Sequence, residues 1–331
     1  MTPTMQQPAG VYDGIDVHQH LVPPALAEAL RGRRCAPRLD GAVLHRTDAP
    51  PTDLDSTHFD VEGRASQVRT DGCEQALVSL SAPIGIEGLP PDEAHSLLSV
   101  YHDSAAMLPP VFGAWASACV SEVQPDELRK QLSGAFVGLQ LPATALLTPR
   151  HVERMGPLLR LLEAHDKPLL IHPGPATPPG DAPTWWPAAV EFVQQMHAAW
   201  HAWLVAGQVN HPRLRVCFVA LAGLAPLHRD RLHTRGGAGL PMPGQVYYET
   251  SSYQPQTVAW LAGLVGGDAI VYGSDRPYAQ PSTTAMAPAT VHATRTTNPR
   301  RLLTGNSADP EQAPRTTAAD ESRAATSQLA E

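Results

Sequence analysis

Aromatic side chains make up only 5% of this 331-residue sequence. A large core must therefore be filled by aliphatic side chains and alanine, and a hydrophobic content of 43% supplies enough of them. Cysteine is scarce too. Cys35, Cys73, Cys119 and Cys217 lie far apart and form no CxxC pair, which argues against a zinc ribbon or a disulfide framework and fits reduced intracellular thiols. No stretch approaches the roughly 20 apolar residues needed to span a bilayer. The N-terminus, MTPTMQQPAG, has neither the basic start nor the apolar centre of a secretory signal. Positive charge is in deficit, with a formal net charge of −8. Nucleic acids and anionic membranes both require a basic face, so neither is expected as a partner. These absences predict a soluble, cytoplasmic protein that acts on a small molecule.

What is present is alternation. Short apolar runs at Gly14–His18, Gln75–Leu80, Val111–Trp115, Phe136–Leu141, Pro168–His172, Arg215–Val219, Val246–Thr250 and Ala269–Gly273 read as strands. Longer amphipathic stretches lie between them, the clearest being Pro91–Met107, His151–His165 and Pro187–Val209, with shorter ones at Asp126–Gln131 and Gln256–Val265. Eight strands with helical returns are what an α/β fold of the (β/α)8 TIM-barrel type requires. The rival is an open doubly wound sheet, but no glycine-rich phosphate loop follows the first strand. The expected organisation is a flexible lead-in over residues 1–10, a single barrel domain over 11–305, and a disordered tail over 306–331. That tail is rich in Ala, Thr, Ser, Glu and Asp and cannot bury enough surface to offset its ordering entropy. Two segments are too long for simple returns: Leu21 to about Phe59, and Pro173 to Trp186 with its PGPATPPGDAPTWW. Long loops after barrel strands lie at the catalytic face, so both are candidate walls or lids.

Chemistry-bearing residues gather at strand ends. His18 and His20 are two apart on the first strand, so both imidazoles can face one point at the barrel mouth, where an ion takes nitrogen ligands at about 2.0–2.1 Å. His172 closes the apolar run LLIH and is either a satisfied core residue or a third ligand. Asp275, in YGSDRPY after the last strand, is either a turn former before Pro277 or a metal ligand that also handles a proton. His197 and His201 share a helix face but lack the glutamate of an HExxH site, and a surface or packing role is expected for them. Arg46 in the first long loop could hold a substrate carboxylate bidentately. Arg276 is placed either to reach the pocket or to pair with an acid on the rim. Trp185 and Trp186 are expected to be hidden from water and to form an apolar wall.

These motifs resemble the amidohydrolase superfamily, and within it the amidohydrolase-2 group that contains aminocarboxymuconate semialdehyde decarboxylase. The resemblance rests on HQH after strand one, LLIHPG at strand five and YGSDRPY at strand eight, with softer matches in FGAWA, VGLQ, LRVCF and the final Asn298-Pro299 with Leu302-Leu303. It runs from about residue 12 to 304. It implies that His18, His20, His172 and Asp275 hold one divalent metal, zinc by expectation with Mn2+ or Fe2+ as alternatives. It also implies a homodimer. One departure stands out: where the family places a histidine after strand six, this chain has Ala220 in FVALAG. Losing a general acid or base costs roughly 10²–10⁴ in rate where the step depends on it.

The expected function is a metal-dependent hydrolase that acts on a small organic acid or carbonyl compound through metal-activated water, with Asp275 as the catalytic group. The alternative is a non-oxidative decarboxylase of an aromatic or unsaturated carboxylic acid. The reading from another class is a non-catalytic metal-binding barrel, suggested by Ala220.

Overall fold

The computed structural model describes residues 13–47, 49–237, 239–240, 244–281 and 286–305. The expected lead-in (residues 1–10) and tail (residues 306–331) both lie outside these residues. In chain order the strands are β1 (Gly14–His20), β2 (Arg38–Asp40), β3 (Val43–Arg46), β4 (Ala49–Asp53), β5 (Cys73–Ser79), β6 (Phe112–Ser117), β7 (Phe136–Pro142), β8 (Leu169–His172), β9 (Val216–Phe218), β10 (Val246–Glu249) and β11 (Ile270–Val271). Eight of them pair in parallel in the order β1-β5-β6-β7-β8-β9-β10-β11. The ring closes where Gln19 of β1 bridges Arg276 just beyond β11. Across this seam Val17 N–H donates to Tyr272 O at 3.0 Å and Asp275 N–H to His18 O at 3.0 Å. The fold is therefore a TIM barrel, with all eight expected strands at their expected places.

The strands form because both of their faces are covered. β8 and β9, read as LLIH and VCF, are buried throughout, the pattern of parallel strands enclosed by helices. Inside the ring, fully buried Trp115 crosses from β6 to donate its indole N–H to Val17 O of β1 at 3.0 Å. That crossing explains Gly138 in β7, where any Cβ would run into the Trp115 ring and the Pro168 carbonyl. The helix Pro149–Ala164 is capped by Thr148, whose hydroxyl accepts from His151 N–H at 3.2 Å. It lays Val152, Met155, Leu158, Leu159 and Leu162 on the barrel. The helices expected at Pro91–Met107, Asp126–Gln131 and Gln256–Val265 appear as Pro91–Ala105, Pro125–Leu132 and Pro255–Val265. The long Pro187–Val209 stretch is helical but opens into wider turns at Pro187–Glu191 and Trp203–Gly207.

Two local structures were not foreseen. The first long loop contains the helix Pro24–Arg31 and an antiparallel sheet in the order β2-β3-β4. Its strands are three to five residues long, and β4 carries Pro50 and Pro51, so no strand periodicity shows. After β9, residues Ala220 to Leu224 form a left-handed turn with φ between 48° and 60°. Four of the five carry side chains, and this conformation costs L-residues roughly 1–2 kcal/mol each. Strain of this kind needs over-determining support from its surroundings.

Candidate metal centre

His18, His20, His172 and Asp275 meet at the C-terminal mouth of the barrel, with one ligand atom from each lying within 4.8 Å of all the others. The two β1 histidines reach the same point because alternate strand residues share a face. Three imidazole nitrogens converge: His20 Nε2 is 3.1 Å from His18 Nε2 and 3.1 Å from His172 Nε2. Asp275 Oδ1 stands 3.3 Å from His20 Nε2 and 3.7 Å from His18 Nε2. Asp275 is in the left-handed region, with φ 54°, which turns its carboxylate back over the mouth after β11 has ended.

The opposite edges of the rings fix their tautomers. Nδ1 of His20 donates to Ser79 O at 3.1 Å, and Nδ1 of His172 donates to Pro173 O at 2.8 Å. A carbonyl oxygen only accepts, so the proton of each neutral ring sits on Nδ1. His18 Nδ1 faces Glu249 Oε2 at 3.3 Å, an oxygen that already accepts from Ala220 N–H at 3.0 Å and the Ser251 hydroxyl at 2.8 Å. All three Nε2 atoms therefore aim lone pairs at one another. Asp275 Oδ1, buried and without a hydrogen-bond partner, completes the set. Lone pairs and a carboxylate oxygen facing each other at these distances repel unless a proton or a metal cation lies between them, and three imidazoles with one carboxylate are a suitable donor set for a divalent ion. The residues fit the group.

Electrostatics agree. Burial lowers the pKa of His20 and of His172, and the neighbouring imidazoles add to the effect, which is large for His172. Both are thereby kept in the neutral form that binds metal. Burial also pulls on His18, but its hydrogen bond to Glu249 and the charges of Asp275, Glu249 and Asp16 outweigh it and raise the pKa. For Asp275, burial alone would push the carboxyl up, and contact with His20 and the facing His18 and His172 bring it below the usual carboxylate range.

A polar frame holds the quartet from behind. Asp16 accepts from Ser274 N–H at 3.0 Å and from Gln19 Nε2 at 2.8 Å, tying β1 to the Asp275 loop. Buried Arg64 donates to His20 O at 2.9 Å and to Gln19 Oε1. The volume beside Ala220 is taken by the fully buried Glu249 at the end of β10, and Gly273 leaves room for it, since a Cβ there would strike the Glu249 side chain.

Arg46, on β3, donates to Thr52 Oγ1 at 2.7 Å and to Pro50 O at 3.3 Å, while its Nε is buried with no partner. Its charge acts on Tyr278, whose ring lies edge-on to His20 with centroids 5.4 Å apart. The Arg276 guanidinium is bidentate to Asp71 at 2.7 and 3.1 Å and donates to Gln280 Oε1 at 2.8 Å. Pairing with an acid is one of the two placements expected for it. Trp185 is 58% exposed and lies 5.9 Å from the Trp186 ring. Trp186 is half-buried, but Trp185 is not hidden as expected, because the proline-rich segment before it forms no element that could cover it. The His197 and His201 rings lie tilted to each other on one helix face with centroids 4.4 Å apart, and His228 is edge-on to His197 at 5.0 Å. Sequence reasoning missed Glu249, Tyr278 and His58, which packs against Tyr278 at 5.0 Å. The signal for Tyr278 was available, three residues after Asp275. Glu249 and His58 carry no local pattern.

No family model matches the chain, and no curated protein does. Solved structures do match. The 5-carboxyvanillate decarboxylase of Novosphingobium aromaticivorans, complexed with manganese and 4-hydroxy-3-methoxy-5-nitrobenzoic acid, superposes with a TM-score of 0.72 at 18% identity, over 91% of this chain and 99% of that one. The 2,6-dihydroxybenzoate decarboxylase from Rhizobium gives 0.65 at 19% identity, over 88% and 98%. A dihydroxybenzoic acid decarboxylase from Polaromonas with bound manganese and 2-nitroresorcinol gives 0.65 at 17%, over 88% and 96%. At these identities the likeness establishes a shared fold across nearly the whole length of both chains.

Proposed function

We propose that this protein is a metal-dependent, non-oxidative decarboxylase of an aromatic or otherwise unsaturated carboxylic acid. The observation that carries the reading is the convergence of three Nε2 lone pairs and Asp275 Oδ1 at the mouth of the barrel. It is supported by structural neighbours that are decarboxylases of hydroxylated benzoic acids. Hydrolysis, the first expectation from sequence, becomes the second reading.

When bound by His18, His20, His172 and Asp275, a divalent ion would supply positive charge that orients and polarises the substrate's oxygens. The substrate carboxylate and ring are then the business of the chain itself. Arg46 offers a charged donor whose Nε has no other partner, and the Tyr278 ring lies edge-on to His20. Exposed Trp185 and half-buried Trp186, neighbours after β8, offer apolar surface for the face of a ring. Loss of CO2 leaves the electron pair of the broken C–C bond on the ring carbon, and one proton must reach that carbon. Asp275 is the carrier: Oδ1 faces the imidazoles, leaving Oδ2 to take a proton from solvent and pass it to the ring carbon.

The test is a metal-reconstitution assay. Protein stripped of metal and reloaded with Mn2+ or Zn2+ is incubated with hydroxylated benzoic acids, and CO2 release is compared with the opening of lactones. Metal-dependent CO2 release supports the reading and selects the metal. Lactone opening without CO2 release returns the site to hydrolysis, and no turnover by the metal-loaded protein favours the non-catalytic barrel.

A further inference from the structure

Glu249 is the least explained side chain near the quartet. It lies at the end of β10, fully buried, far from solvent and 231 residues from the histidine it touches. A buried carboxylate is costly unless its oxygens are well satisfied. Here Oε1 accepts from Ser251 N–H, and Oε2 accepts from Ala220 N–H, the Ser251 hydroxyl and His18 Nδ1–H. Two neighbours are built around it. Ala220 presents a bare methyl and its backbone N–H at the first residue of the left-handed turn, and Gly273 presents no side chain at all.

We propose that Glu249 is the positioning residue of the metal centre: its carboxylate aligns the His18 imidazole and keeps the His18 proton on Nδ1, so that Nε2 faces the ion as a lone pair. This rests on the metal-binding reading above. The physical contrast is among the three histidines. His20 and His172 are oriented by backbone carbonyls, which cannot be mutated away, whereas His18 is oriented by a side chain. A carboxylate behind a ligating imidazole also makes it a better donor, and loss of such an outer partner typically costs 10–100-fold in metal affinity. The competing role is purely structural, with Glu249 serving only to anchor the strained turn at Ala220.

The substitution Glu249→Gln separates the two. Oε2 serves Ala220 N–H, the Ser251 hydroxyl and His18 Nδ1 alike, so a glutamine that keeps its oxygen there turns its NH2 against Ser251 N–H, and one that flips sets the NH2 against both His18 and Ala220. In either orientation the carboxylate charge behind His18 is lost, and with it the strong acceptor that holds the proton on Nδ1. Mn2+ affinity is measured by competition with a chelator on the full chain, for wild type, Glu249→Gln and Ser251→Ala, alongside the melting temperature of each metal-free protein. The expected result is a loss of about 10–100-fold for Glu249→Gln and a smaller loss, a few-fold, for Ser251→Ala, which removes one donor and leaves the carboxylate in place. A lower melting temperature with unchanged Mn2+ affinity would overturn the proposal in favour of turn anchoring. Should Glu249→Gln fail to fold, Ser251→Ala carries the test, and wild-type affinity in that variant counts against the proposal. Wild-type protein that takes up neither Mn2+ nor Zn2+ overturns the metal-binding reading together with this one. Equal affinities in wild type and the variants overturn this one alone.

Discussion

His18, His20 and His172 each commit Nδ1 to an oxygen, so three Nε2 atoms are left facing one another. The four converging side chains were legible as candidate ligands because strand periodicity and strand ends are local signals: HQH on β1, a histidine closing LLIH, an aspartate just past a buried strand. Glu249 was not legible, since a single acid after Tyr248 looks like any strand end until the chain folds and brings it to His18. Two predictions belong at this scale. Asp275→Asn keeps the shape of the site but removes both a charge and a proton carrier, and kcat should fall by roughly 10²–10⁴ in the reconstituted decarboxylation assay. Arg46→Met removes the donor whose Nε lacks a partner. A hydrogen bond to a charged group is worth about 1.5–3 kcal/mol, so KM for the carboxylic acid should rise by about 10–100-fold, while a methyl ester of the substrate should bind wild type and variant alike. An unchanged KM would place Arg46 outside the pocket.

The strands were readable as elements because each barrel strand is buried on both faces and so appears as a continuous apolar run. The antiparallel sheet over Arg38–Asp53 was not, because its strands are short, two prolines sit in β4, and its residues are mostly part-exposed. The left-handed turn at Ala220–Leu224 was equally silent: only Gly223 among its residues favours positive φ, and the turn is held by contacts from other elements, including Glu249. Gly138 offers an element-level test of the barrel. A Cβ at this position meets the Trp115 ring and the Pro168 carbonyl, neither of which can move without separating strands. Gly138→Ala should therefore destabilise the fold by about 1–3 kcal/mol, the usual range for overpacking, read as a lower urea midpoint with an unchanged slope. A stable Gly138→Ala protein would mean the barrel interior is looser than described.

Across the whole molecule, stability should depend on pH through a group remote from the quartet. Glu87 is buried, and burial pushes its carboxyl from 4.5 up to about 7, against the hydrogen bonds from Ser117 and Gln140. Between those two values the folded chain holds more protons than the unfolded one. Stability therefore falls as pH rises from about 4.5 to about 7 and stays lower above. At 1.36 kcal/mol per unit the effect is at most about 3 kcal/mol. Glu87→Gln should remove it, so the difference in urea midpoint between variant and wild type should grow in the variant's favour from pH 5 to pH 8. A constant difference would contradict the assignment.

The account as a whole turns on one cation at the barrel mouth. The most direct measurement is the metal content, by elemental analysis, of wild-type and His172→Ala protein after loading with Mn2+ and exhaustive dialysis, with melting curves of the loaded and chelator-treated forms. One ion per wild-type chain, a higher melting temperature when loaded, and loss of both in His172→Ala is the result the geometry predicts. A folded wild-type protein that retains no ion and melts at the same temperature with or without metal would contradict it.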